Sequence, residues 1–281
     1  MNEDSGGFLQ RWFGRKREAT PTVDSAGLAS RGTLAPMEPG PILTVAFNFE
    51  HGGRHGTASG VDYALERTVS CLDQRGIHAT FHCPARQAET AHEQLAHIRD
   101  AGHEIACHGY DRESSRELVG EALERMLTLC QEAMSDMGVQ AIGFHPPAEC
   151  KSPDAYRAIA RHGFRYISEL SREDNPRLLI SKPALLLRMP IAANDSGYAR
   201  HPEQPRHVLE KHRALIERVV RKEHYLALSY HIWILGEEPA RFDDLQALLD
   251  TAQSAGVKFR TFEQALPETY RPKPKSPSSE A

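Results

Sequence analysis

The chain has 281 residues, 40% hydrophobic and 26% charged, with a formal net charge of −4 when His is counted as neutral. So even a balance gives no global electrostatic case for nucleic acid or a membrane surface, and the length suits one domain of roughly 230 residues with tails. The five cysteines, Cys71, Cys83, Cys107, Cys130 and Cys150, are odd in number and form no CxxC pair. They read as buried thiols of a reducing cytosol, not as a disulfide framework. No apolar run approaches the roughly 20 residues that span a bilayer, and the N-terminus lacks a signal-peptide core, so the expected location is cytoplasmic.

Residues 1–40 are rich in Ser, Gly, Pro, Thr and Ala, and residues 271–281 are similar, so both tails are expected to be disordered. Within the first, residues 8–17 combine aromatics with a basic cluster. They fit a docking segment for a protein partner or the inner face of a membrane, or equally an unstructured leader. Between the tails, residues 41–270 alternate strand-like and helix-like segments. Ile42 to Phe49 reads as a strand, Val61 to Arg75 as a helix stopped at Gly76, Ala79 to Cys83 as a strand, and Glu89 to Ala101 as one helix. A strand at Glu104 to Cys107, a helix at Ser115 to Met137, a strand at Ala141 to Phe144, a helix at Pro153 to His162 and a strand at Phe164 to Ile167 follow. The series ends with strands at Leu185 to Met189, Tyr225 to Tyr230 and Val257 to Phe259, and helices at Val208 to Lys222 and Phe242 to Ala255. Strands separated by helices call for a parallel sheet, and about seven such units favour a closed or nearly closed barrel.

Several of these strands end in a polar group: Asn48, Glu50 and His51 after the first, then His82, His108, His145 and His231. Barrel sites gather at the C-terminal ends of strands, so groups distant in sequence converge on one mouth. Imidazole and carboxylate can hold a borderline metal such as Zn²⁺ or act as general base and acid without one, and both routes point to hydrolysis. Neither a phosphate-cradling Gly loop nor a Gly-x-Ser-x-Gly elbow is present. Cys83 and Cys107, beside strand ends, have apolar neighbours and read as inert core thiols.

Taken together, these segments resemble the polysaccharide deacetylases with a NodB-homology domain, over about residues 41–268. Gly76-Ile77-His78-Ala79-Thr80-Phe81, Gly102 to Tyr110, Gly163-Phe164-Arg165-Tyr166 and Leu228-Ser229-Tyr230-His231 carry the likeness, in order and spacing. The resemblance implies a distorted (β/α)₇ barrel of the NodB type and N-deacylation of an N-acyl sugar or a lipid-linked sugar precursor. It places Asn48, Glu50, His145 and His231 at catalytic positions, and Glu50 and His108 at those of metal ligands, with Zn²⁺ or another divalent ion as cofactor. Apart from the resemblance, Tyr110 beside His108, Trp233 just after His231, and Arg112 are the candidates for substrate contact, against a core role for Trp233.

The catalytic signature departs from the family pattern. Asn48 stands where the family has an Asp base, Arg112 where the second metal His would be, and His145 where an Arg orients the base. Two enzyme readings follow: a rebuilt metal site, or a metal-free ring-amide hydrolase of the allantoinase type, whose first motif also reads Asn, aromatic, Glu. A third reading is a non-catalytic binding or scaffold module. Arg188 and Asp195 read as ordinary loop charges.

Overall fold

The computed structural model describes residues 37–50, 58–111, 113, 118–148, 152–173, 175–181, 184–204, 206–222 and 224–271, except the side chains of residues 58 and 59. The expected disordered tails therefore fall almost wholly outside the described residues, as do the segment 8–17, His51, Arg112 and Cys150. Ten strands are described: β1 (Ile42–Asn48), β2 (Thr80–Cys83), β3 (Glu104–Cys107), β4 (Gly143–Phe144), β5 (Tyr166–Leu170), β6 (Arg177–Ile180), β7 (Leu186–Ile191), β8 (Ala193–Asn194), β9 (Tyr225–His231) and β10 (Lys258–Phe259). The main helices between them are α1 (Ala58–Asp73), α2 (Gln87–Thr90), α3 (His92–Asp100), α4 (Gly120–Asp136), α5 (Pro153–Arg161), α6 (Gly197–Arg200), α7 (Arg206–Lys222), α8 (Ile232–Glu237), α9 (Pro239–Ser254) and α10 (Phe262–Ala265).

Along the sheet the order is β6-β7-β5-β4-β3-β2-β1-β9-β8, with β10 on β1, and only the β6–β7 pair is antiparallel. β7 pairs with β5, and β8 pairs with β9. A single residue separates β7 from β8, and that residue, Ala192, donates its N–H to the Ala227 carbonyl. The run 186–194 thus carries the pairing from β5 back to β9, and the parallel strands close on themselves. Counting β7 and β8 as one, seven parallel units surround the interior, as in the expected distorted (β/α)₇ barrel.

Strand alternation decides which residues face that interior. Leu43, Val45 and Phe47 of β1, Phe81 of β2, Ile105 of β3 and Leu226 and Leu228 of β9 belong to the outer core, shared with the helices. Ile42 and Ala46 of β1, Ala106 of β3, Tyr166 of β5 and Tyr225 and Ala227 of β9 belong to the inner core. Continuing each inner series toward the C-terminal ends brings Asn48, His82, His108, Ser168 and His231 to one end of the barrel. The opposite end is filled by Tyr166 and by Phe262 of α10, whose rings lie 5.2 Å apart, with His82 stacked over Phe262 at 5.8 Å.

Several element boundaries differ from expectation. The single helix expected over Glu89 to Ala101 is two, α2 and α3, because Ala91 takes φ −144° and ψ 43°, outside the helical region. β6, α6, α8 and α10 are short and lack a full period of apolar pattern. Glu38, assigned to the tail by composition, is anchored by Lys258 at 2.8 Å and by Arg260 at 2.9 Å.

Candidate active site

The interior-facing strand ends form a single polar cluster. Parallel register sets Asn48 of β1 level with His82 of β2 on one side and His231 of β9 on the other. Immediately after β3, His108 is turned inward by Gly109, whose φ of +73° suits glycine. A Cβ there would lie 2.9 Å from Pro147 Cγ, so the turn is also too tight for another residue. The His82 and His145 rings stack at 4.2 Å, with planes 9° apart, and His108 lies 4.8 Å from His145. Glu50 faces His108, with Oε1 3.6 Å from Nε2.

Hydrogen-bond bookkeeping assigns each proton. The fully buried Asp195 carboxylate, just past β8, accepts the His231 backbone N–H at 2.9 Å and its Nδ1–H at 2.6 Å. Nε2 of His231 meets Asn48 Nδ2 at 3.3 Å. Asn48 Oδ1 accepts Nδ1–H of His82 at 2.9 Å and the Ser229 hydroxyl at 3.5 Å. Ser168 Oγ then donates to His82 Nε2 at 3.0 Å. His145 and His108 donate from Nδ1 to backbone carbonyls, of Ser168 at 2.6 Å and of His145 at 2.8 Å, which turns their Nε2 atoms away from those carbonyls. The direction of the chain is uniform: protons point from Ser168 through His82, Asn48 and His231 toward Asp195.

The electrostatics separate the imidazoles. Burial, with like-charge pressure from the neighbouring histidines, pushes His82 and His145 well below the ordinary imidazole value. Burial also opposes charging His231, but the Asp195 charge and hydrogen bond and the Glu50 charge outweigh it, and its pKa is raised. One imidazole of the cluster is therefore built to take a proton while two are held neutral.

The metal reading can be tested on the donors. Two ligands at about 2.1 Å on a tetrahedral Zn²⁺ lie about 3.4 Å apart, so Glu50 and His108 match one edge of such a site. A His whose Nδ1–H is anchored on a carbonyl is also oriented as metal ligands commonly are. Catalytic zinc needs three protein ligands, however, and among the described residues no group of three His, Cys, Asp or Glu is placed to hold a metal. The described donors do not make a zinc centre, and no step below passes through one.

Sequence reasoning found Asn48, Glu50, His82, His108, His145 and His231, and the structure brings all six together. Trp233, on α8, has its ring 6.0 Å from that of His231, and Tyr110 donates its backbone N–H to Glu113 just beyond His108. Asp195 and Ser168 were missed. Asp195 is no loop charge, and the signal that could have found it is the pairing of a buried acid with a strand-end His. Arg188, the other residue read as a loop charge, lies 2.8 Å from Glu169 and donates to the Tyr156 hydroxyl, a buried structural pair on the outer face.

Comparison with known proteins agrees with this geometry. A family model described as polysaccharide deacetylase matches residues 40–167. A peptidoglycan deacetylase of Helicobacter pylori is 28% identical over 114 residues, covering 40% of this chain and 39% of that protein. The chain spans about two fifths of the length of the curated relatives it matches. Among solved structures, a probable polysaccharide deacetylase from Pseudomonas aeruginosa PAO1 superposes with a TM-score of 0.68 at 19% identity, covering 81% of this chain and 90% of that one. Puue allantoinase superposes with a TM-score of 0.66 at 19% identity, covering 79% and 88%; at such identities both show the fold alone. The polysaccharide deacetylase model thus matches a little under half of the chain, and the barrel as a whole is the fold that these solved structures share.

Proposed function

We propose that the chain is a hydrolase that removes an N-acyl group from a sugar, cleaving the amide C–N bond. The observation that carries this reading is the Asp195–His231 couple at the barrel mouth: a buried carboxylate fixes an imidazole whose Nε2 is presented beside Asn48, Glu50 and His82. Asn48 has no proton-accepting group to replace the Asp of the family pattern, so His231 takes over both proton transfers. A water held by Glu50 attacks the acyl carbonyl carbon, and its O–H proton passes to His231 Nε2 as the C–O bond forms. Asp195 stabilises the resulting imidazolium. The same proton then moves to the amide nitrogen as the C–N bond breaks, giving a carboxylic acid and a free amine, with His231 neutral again.

His108 and His145 serve this cycle by position: His145 anchors His108 through its carbonyl, and His108 sets its Nε2 beside Glu50. Trp233, beside His231, is assigned to flank the sugar ring, and Tyr110 to line the opposite rim. Arg112 is assigned a substrate contact from its place in the sequence alone. The described cysteines Cys71, Cys83, Cys107 and Cys130 are free and buried, which supports a reducing compartment and hence a small or lipid-linked N-acyl sugar as substrate in place of intact polymer. No helix among the described residues is long and apolar enough to cross a membrane.

The test is release of acetate from N-acetylated sugars and oligosaccharides by the purified chain, with the H231A variant as control. Wild-type release that H231A abolishes supports the reading, and so does activity that survives chelation. Release that disappears with chelator and returns with zinc would reinstate the rebuilt metal site, and opening of a ring amide without deacylation would favour the allantoinase-type reading.

A further inference from the structure

Asn48 sits at the one position of the cluster where two imidazoles meet a single amide. It is 6% exposed, and both ends of its side chain are engaged. Two donors, His82 Nδ1–H and the Ser229 hydroxyl, converge on Oδ1, which fixes the amide with its NH₂ toward His231. Because Asp195 takes Nδ1–H of His231, the atom facing that NH₂ is Nε2, and it must be an acceptor. On the other side, an imidazole that donates to Oδ1 from Nδ1 must accept at Nε2, and the Ser168 hydroxyl supplies that donor. The amide therefore sets the tautomer of His82 and reinforces the one that Asp195 imposes on His231.

Resting on the deacylase reading above, we propose that Asn48 is a positioning residue that holds His82 as its Nδ1–H tautomer and, together with Asp195, keeps His231 in the same form, so that His231 Nε2 is empty and aligned in the free enzyme. An amide does this where a carboxylate would not. A carboxylate has no donor for Nε2, and so would favour a second proton there; the Asn48 NH₂ favours the lone pair. At 3.3 Å the contact is at the long end for a hydrogen bond, so the lone pair is aligned without being tied up. Once Nε2 has received the proton of the attacking water it faces an N–H, and that unfavourable contact helps pass the proton on to the leaving nitrogen.

The tautomers can be read directly by long-range ¹H–¹⁵N NMR of the ¹⁵N-His-labelled full chain, assigned with single H82N and H231N variants. In the wild type both rings are expected to show the Nδ1–H pattern. In N48L, His82 loses its acceptor at Nδ1 and should switch to the Nε2–H pattern, donating to Ser168, while kcat falls about a hundredfold and KM stays within a few-fold. An Nε2–H pattern for His82 in the wild type overturns the proposal even if N48L fails to fold. So does a folded N48L in which His82 keeps Nδ1–H, or one with wild-type kcat. The spectra do not depend on turnover: the expected tautomers without acetate release from any N-acyl sugar would support the placing of the two rings and sink only the deacylase reading.

Discussion

The two ends of the barrel each hold a carboxylate among hydrogen-bond donors, half-buried Glu104 at one and fully buried Asp195 at the other, and the contrast between them separates structure from chemistry. At the N-terminal end, Glu104 accepts from the Thr80 hydroxyl at 2.6 Å, the Tyr166 hydroxyl at 2.8 Å and the Glu263 backbone N–H at 3.1 Å. None of these donors gives up its proton near neutral pH, and they tie β3 to β2, β5 and α10. At the other end, Asp195 takes both its hydrogen bonds from His231. That partner is an imidazole that faces the mouth. Burial raises the Glu104 pKa despite its three donors, whereas the Asp195 charge and hydrogen bond raise the pKa of His231 against its own burial. An acid clamped by hydroxyls closes the barrel, and one paired with an imidazole can move a proton.

Exchanging the effects of the two carboxylates would break this comparison. The largest expected effect is on activity: H231A and D195N should lower kcat by about 10²- to 10⁴-fold, measured as acetate release. E104A should leave kcat within about twofold. It strands two hydroxyls and a backbone N–H, and is expected to cost about 3 kcal/mol in urea unfolding. Wild-type kcat in H231A, or activity loss in a folded E104A, would erase the distinction. Gly143→Ala probes the same clamp from behind, because a Cβ there would lie 2.0 Å from the Tyr166 hydroxyl. The expected cost is about 1–3 kcal/mol.

The pH dependences should also differ between function and stability. His231 must be neutral to take the water proton and its pKa is raised, so kcat/KM should fall as pH drops, with an apparent midpoint above the ordinary imidazole value of 6.5. D195N should move that midpoint down. Stability follows the histidines that burial keeps neutral. His103 and His212 are both lowered from 6.5 to about 4. Below pH 6.5 the unfolded chain binds protons that these two cannot bind when folded, so stability is lost as pH falls from 6.5 toward 4, approaching about 1.4 kcal/mol per pH unit for each. His82 and His145 act in the same direction. His231, raised in the folded state, adds stability that is complete below pH 6.5 and lost above it, and so leaves the acid limb unchanged. A urea midpoint that stays flat between pH 7 and 5 would contradict this. The smallest effect is expected at Glu38, whose partners Lys258 and Arg260 hold it at about 2; E38A should cost no more than about 1 kcal/mol.

Much of the site was legible because strand ends are. The apolar, β-prone run Ile42 to Asn48 and the run Glu104 to Cys107 before His108 and Gly109 report the strands, and the strand period of two gives the direction in which each last side chain points. Hence Asn48, His82, His108, His145 and His231 could be named before any contact was known. Asp195 could not, since β8 is only Ala193–Asn194 and follows Pro190, a pattern too short to announce a strand. Ser168 was hidden for another reason: it lies inside a strand whose neighbours Ile167 and Tyr166 are apolar, and only closure of the barrel sets its hydroxyl against His82.

The succession of strands and helices, the family resemblance and the set of polar groups at the strand ends were fixed in the sequence, because these depend on local periodicity and turn chemistry. Only the tertiary structure decided how those groups are paired. The charge on an imidazole depends on the depth of burial around it and on the single atom facing each ring nitrogen, here the Asp195 carboxylate and the Asn48 amide. Both arrive at His231 from elsewhere in the chain, 36 and 183 residues away.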